Sequence, residues 1–179
     1  MAATLVESLA GGDPEAFAAL YDRLAGRLLA AARTMTGSAA DAEDVVQDLF
    51  VDLARGRARL TVVIDLEAYV FTMLRNAIRR RSRRHAIDRR AVLAVAALRR
   101  EAGGCGTSQP LLPDDALAAA VAALPEVQRE VVALKIDAGL TFAEIAAVTG
   151  TSLNTAASRY RYALEKLRTV LRDDDEETP

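Results

Sequence analysis

The chain has a single cysteine, a single histidine and no tryptophan among its 179 residues. Cys105 lies in GGCGTSQP and His85 inside an arginine run, so no internal disulfide, Cys/His zinc site or Cys/His nucleophile pair can be assembled from them. Hydrophobic runs are short as well, and none approaches the roughly 18 apolar residues of a membrane span. The opening MAATLVESLAGGDPEAF lacks the basic start and long apolar segment of a secretory signal, so the expectation is a cytoplasmic protein. No phosphate-cradling glycine loop and no nucleophile beside a base is recognisable, so we expect no enzyme, no cofactor and no metal. Apolar residues, by contrast, make up 51% of the chain, enough for one ordinary domain or two small ones.

Net charge is −2, an average that speaks against nucleic acid but conceals a sorting of charge along the chain. Between Arg75 and Arg100 ten arginines stand against Asp88 alone, while five acids crowd into DDDEE at 173–177.

The pattern predicts helices nearly everywhere. Asp13 and Pro14 open one that carries Phe17, Leu20, Tyr21, Leu24 and Leu28 and is closed by Gly37. Ser38, with Asp41 three residues on, opens a second with a buried stripe of Val45, Val46, Leu49, Phe50 and Leu53, ending at Gly56. Asp65 starts a third, striped with Val70, Leu74, Ala77 and Ile78, after which arginine surrounds the axis. RLTVVID at 59–65 is β-rich but has no partner strand. AGGCGTSQPLLP reads as a flexible linker, and beyond it come a short helix and another from Pro125 to about Gly139. The expected fold is all-α: residues 1–100 and 114–172 as two small helical domains, 101–113 as linker and 173–179 as an acidic tail.

Three surfaces stand out. Thr141 and Glu144 form a capping box, Gly150 supplies a left-handed turn, and Ser152 caps a last helix expected to bury Leu153, Tyr160, Leu164, Leu167 and Leu171. Ser152, Asn154, Thr155, Ser158, Arg159 and Tyr162 then suit insertion into a major groove, although a plain αα-corner with a solvated polar face has the same pattern. RNAIRRRSRR either decorates a solvated helix end or meets a polyanion, with Tyr69 or Phe71 placed to stack on an unpaired base and core packing the expected fate of Phe71. Asp41, Asp44, Asp48 and Asp52 make one carboxylate stripe, which is either a solvated face or a dock for a basic protein.

These motifs together resemble a bacterial RNA polymerase sigma factor of the extracytoplasmic-function group. DAEDVVQDLF is similar to region 2.2, AYVFTMLRNAIRRRSRR to regions 2.3 and 2.4, and the stretch from LPEVQREVV through LEKLR to region 4, so the resemblance covers about residues 13–100 and 114–171. It implies a region 2 helical bundle and a region 4 helix-turn-helix. Asp41, Asp44, Gln47, Asp48 and Leu49 would contact the clamp helices of the polymerase's largest subunit. Tyr69, Arg75, Asn76, Arg79, Arg80, Arg83 and Arg84 would hold the melted minus-10 element, and the helix after Ser152 would read minus-35. Tyr69 stands where the family usually has tryptophan, and Arg80 where aspartate is common. Implied partners are core polymerase and promoter DNA, with an anti-sigma factor as an open question. The alternatives are a stand-alone helix-turn-helix regulator that never engages polymerase, and a helical adaptor, for which an exposed Arg159 would serve no purpose.

Overall fold

A computed structural model describes residues 4–97 and 113–176, with side chains described in the fourth helix as far as Arg84. The expected linker as far as residue 112, Cys105 within it, the His85 side chain, the last arginines of the basic run and the final three residues lie outside what is described. So does the side chain of Leu171.

Local chemistry sets the helix boundaries. A capping box between Thr4 and Glu7 opens α1 (Leu5–Gly11), a helix not foreseen from the sequence. Asp13 accepts from the Glu15 amide at 3.0 Å and Pro14 leads α2 (Pro14–Thr36), which Gly37 closes at φ 71°. The Ser38 hydroxyl accepts from the Asp41 amide at 3.2 Å to open α3 (Ala39–Arg55). RLTVVID is no strand: Arg57–Val62 wind into a 3-10 turn whose fully buried Leu60 packs beside α1. Asp65 accepts from the Ala68 amide at 3.0 Å where α4 (Leu66–Ala97) begins.

The second half holds α5 (Pro113–Ala122), α6 (Glu126–Ile136), α7 (Phe142–Thr149) and α8 (Leu153–Glu176). Pro113, expected to end the linker, is instead the first residue of α5, a position where its missing amide proton costs nothing. The start of the expected acidic tail, residues 173–176, continues α8. No strand occurs among the described residues, so the fold is all-α.

Leu24 and Leu28 of α2, Leu53 of α3 and Phe71 and Leu74 of α4 form the centre of the first half. The same cluster runs unbroken into Val131, Leu134, Leu140 and Ile145 of the second, so the halves are packed together rather than separate. Each such side chain contributes about 1.5–3 kcal/mol by leaving water. Two expected core residues lie elsewhere: Tyr21 and Leu153 are each 51% exposed. On α8 the buried residues are Ala156, Ala163 and Leu167, with Tyr160 at the margin; alanine lets the helix approach its neighbours where leucine would hold it off.

Candidate nucleic-acid interface

The α7–α8 corner has the geometry of a helix-turn-helix. Thr141 and Glu144 cap each other, and the hydrogen bonds that Thr141 donates from its amide and hydroxyl hold the Glu144 carboxyl below its usual range. Gly150 turns the chain at φ 66°, and Thr151 N donates to Ala146 O at 3.0 Å. Ser152 Oγ then accepts from the Thr155 amide at 3.1 Å, while Phe142 and Tyr160 meet edge to face at 5.6 Å inside the corner.

At the start of α8, Ser152 and Asn154 are exposed, whereas Thr155, Ser158 and Arg159 are half-buried. Thr155 is tied to the Ser152 hydroxyl at 2.8 Å, and Ser158 Oγ donates to Thr155 O at 3.1 Å. Tyr162 is exposed but lies round the helix towards α5, where it shares an apolar groove with Leu124 and Lys166. Arg161, overlooked in the sequence, is exposed, with its guanidinium 5.4 Å from the Tyr162 ring centre.

The arginine run divides between two faces of α4. Tyr69, Asn76, Arg80 and Arg84 look into a groove of about 1050 Å³ between α3, the 3-10 turn and α4. Arg55 from the end of α3, Arg59 from the turn and Arg81 add to its basic lining, against which Asp48 and Asp52 of α3 are the acidic members. Neither Arg55 nor Arg59 was anticipated, although both belong to the short run RGRAR at 55–59, a cluster of basic residues that the sequence offered and that was passed over. Val62 and Ile64, after the 3-10 turn's Leu60, are 81% and 103% exposed, and Arg83 is exposed too. Phe71, by contrast, is fully buried with the Arg27 guanidinium over its ring, so among the described residues Tyr69 is the aromatic side chain that lines the groove.

The other face of α4 is already occupied. Arg75 ion-pairs with Glu130, which is 2% exposed, and Arg79 Nε lies 3.1 Å from Glu126 Oε1. Arg81 bonds Asp41 and, at 3.2 Å, Asp44; its hydrogen bond to Asp41 is the main reason its pKa is raised. Of the carboxylate stripe, Asp44, Asp48 and Asp52 stay exposed, as does Gln47, which borders an apolar groove shared with Tyr21 and Phe50. Leu49 is 2% exposed and belongs to the core, so in this conformation it has almost no surface to offer a partner. No grouping of three or more His, Cys, Asp or Glu side chains able to hold a metal occurs among the described residues. Nor is any described helix long and apolar enough to cross a membrane.

The family model of Sigma-70 region 2 matches residues 20–87, and that of Sigma-70 region 4 matches residues 114–167. The ECF RNA polymerase sigma factor SigL of Mycobacterium tuberculosis is 31% identical, over 94% of this chain and 96% of that protein. The chain belongs to the sigma-70 family, in its extracytoplasmic-function (ECF) group. EcfG of Rhodopseudomonas palustris, another ECF sigma factor, is 29% identical over 84% of this chain and 82% of its own. Two solved structures share the fold. The sigma factor RpoE of Bartonella quintana, in complex with the anti-sigma factor NepR, superposes with a TM-score of 0.70 at 25% identity, covering 87% of this chain and 96% of that one. CnrH in complex with the cytosolic domain of CnrY gives 0.69 at 26% identity, covering 95% and 96%. As an ECF sigma factor the chain acts in promoter-specific transcription initiation with RNA polymerase, as a regulator rather than an enzyme.

Proposed function

We propose that this sigma factor divides promoter recognition between its halves, region 2 within residues 1–100 and region 4 within 114–172, with 101–113 joining them. The observation that carries the division is the convergence of Arg55, Arg59, Arg80 and Arg84 on one groove that also presents Tyr69 and Asn76. Such a groove matches an opened minus-10 strand: the arginines neutralise phosphates while an aromatic ring stacks on a base. A duplex, stiff and fully stacked, would gain nothing from that ring. Arg83 adds to this polyanion surface, and Arg75 and Arg79, on the other face of α4, would reach DNA only when released from Glu130 and Glu126.

The start of α8 reads the minus-35 element from the major groove. Ser152, Asn154 and Thr155 sit at its amino end, where unpaired backbone amides attract phosphate, and Arg159 is one turn further on with a fork that matches guanine. Ser158 and Tyr162 border this face, and Arg161 supplies a backbone contact.

Asp44, Gln47 and Asp48 dock on the clamp helices of the polymerase's largest subunit, with Asp41 at the edge of that contact. A stand-alone regulator has no need of this acidic face. Its relatives of known structure are bound to the anti-sigma factor NepR and to CnrY, which supports control of this chain by an anti-sigma protein in the cytoplasm. The test is charge reversal at two exposed positions. Asp44→Lys with Asp48→Lys should abolish core binding in a gel-shift assay and leave the circular dichroism spectrum unchanged. Wild-type core affinity in that variant would refute the docking face.

A further inference from the structure

The groove between α3 and α4 holds a charge that a purely phosphate-binding surface has no use for. Asp52 lines it together with Arg55, Arg59, Arg80 and Arg84. Its carboxylate is exposed and takes part in no ion pair among the described residues, although arginines surround it. The helix gains nothing from it either. Asp52 stands in the last turn of α3, where the negative end of the helix disfavours an acid, and it is the main-chain carbonyl, not the side chain, that accepts from the Gly56 amide at 2.8 Å. Asp48, one turn back, also borders the groove but belongs to the face assigned to polymerase, which leaves Asp52 as the uncommitted acid beside Arg55.

An ionised carboxylate repels phosphate and can only accept hydrogen bonds. What it can take from opened DNA is therefore a donor on a base. Guanine alone presents two adjacent donors, N1–H and N2–H, on its Watson–Crick edge, and the two oxygens of a carboxylate match them as a bidentate pair. Adenine and cytosine set a ring acceptor beside their single amino group, and thymine flanks its one N–H with two carbonyls, so each turns an acceptor towards the carboxylate. In a duplex the guanine edge is occupied by cytosine, so an unpaired base is needed to offer it. The same groove supplies the rest of a base site: the Tyr69 ring for stacking, and the exposed Asn76 amide to donate to O6.

We infer that Asp52 is a base-reading residue for the opened minus-10 strand, accepting from N1–H and N2–H of one unpaired guanine while the surrounding arginines hold the neighbouring phosphates. The inference rests on the proposed role of this groove in binding opened DNA and adds the base that it selects. Arginines alone hold any strand. An acid among them weakens the hold on every strand by repulsion and recovers the loss only where guanine fills the site, so it gives up general affinity for selectivity. Because the guanine edge is free only after unpairing, the same contact also favours opened over duplex promoter.

The test uses holoenzyme assembled with core polymerase and forked promoter DNA whose unpaired minus-10 strand is randomised, with fully duplex DNA of the same sequences as reference; bound DNA is recovered and sequenced. Wild type should enrich guanine at one unpaired position by about tenfold. Asp52→Asn and Asp52→Ala should remove that enrichment while holding other sequences as tightly as wild type or more tightly. Inosine at that position, which lacks the N2 amino group, should cost wild type about tenfold and Asp52→Ala nothing, whereas 7-deazaguanine, altered only on the N7 edge, should bind as guanine does. The analogue measurements on wild type need no variant, so a misfolded variant leaves the inference testable. If both variants hold every sequence more tightly with the guanine preference intact, the carboxylate is only a repulsive wall and the inference is overturned. Loss of affinity with 7-deazaguanine but not with inosine overturns it too, because an arginine forked onto O6 and N7 would then be the reader. Absence of any guanine preference in wild type has the same consequence. These outcomes leave the groove's hold on opened DNA standing; that reading fails separately, and Asp52 with it, if wild type binds the unpaired strand no better than duplex.

Discussion

Replacing Arg55, Arg59, Arg80 and Arg84 with glutamine should weaken binding to opened promoter DNA in a way that depends steeply on salt. All four are exposed, line one groove and take part in no ion pair among the described residues, so their removal leaves no buried partner stranded. Each surface change is expected to shift stability by no more than about 0.5 kcal/mol. If each arginine neutralises one phosphate of a single strand, the variant's slope of log affinity against log salt flattens by about 2.8, at roughly 0.7 per contact. Between 50 and 200 mM salt the wild-type holoenzyme should then lose about 50-fold more affinity than the variant, the fourfold salt change raised to that difference in slope. The assay is anisotropy on a promoter fork whose minus-10 strand is already unpaired, repeated across salt, with permanganate footprinting on fully duplex promoter. Footprint and slope should fall together, and a pre-melted bubble should recover part of the footprint. Parallel salt curves for variant and wild type would show that the groove holds no phosphate, and the assignment would fail.

Arg159→Ala should reduce activity on the preferred promoter by about 1–3 kcal/mol and flatten preference at one minus-35 position in a promoter-library transcription assay, whereas an equal loss on all sequences would mark a phosphate contact instead. Gly150→Ala places a Cβ in open space, so its cost is that of left-handed backbone alone, about 1–2 kcal/mol, visible as a melting temperature lowered by several degrees; an unchanged melting temperature would refute the turn geometry. Phe71→Ala, at a side chain with no exposure, should destabilise the chain by about 3–5 kcal/mol in urea unfolding, and a loss below about 1 kcal/mol would mean the ring is not in the core.

Features that depend on neighbours in sequence were legible before the structure. Asp13 before Pro14, Ser38 with Asp41, Thr141 with Glu144, and Gly150 each do their work within a few residues, and each does in the fold what the spacing implies. The buried stripes of α2, α3 and α4 were legible for the same reason, helical periodicity. Where long-range packing decides, the reading fell short. Leu153 was expected in the core because it is large and apolar, but the close approach of α8 selects Ala156 and Ala163 instead. The β-branched run at 59–65 has strand propensity and no strand to pair with, so anchoring of Leu60 beside α1 winds it into a 3-10 turn. Arg75 and Glu130 are 55 residues apart, and Arg81 and Asp41 are 40 apart, so sequence spacing says nothing about their pairing. The arginine run and the carboxylate stripe, read as two separate surfaces, thus meet in part, Arg81 being held by Asp41 and Asp44. The groove arginines Arg55 and Arg59 were visible as part of RGRAR at 55–59, but only the fold shows that two of its three arginines line the groove opposite α4.

The most direct measurement is run-off transcription from a pool of random promoter sequences with purified core polymerase, with and without this chain, followed by sequencing of the transcribed templates. If the chain is the promoter-specificity subunit, transcripts appear only when it is added, and their templates share two conserved blocks, one near minus-10 and one near minus-35. Arg159→Ala should then alter the upstream block and leave the downstream one intact. Transcription independent of the chain, or enrichment of a bound sequence with no transcript from it, would contradict a role in initiation and leave a DNA-binding regulator that works apart from polymerase.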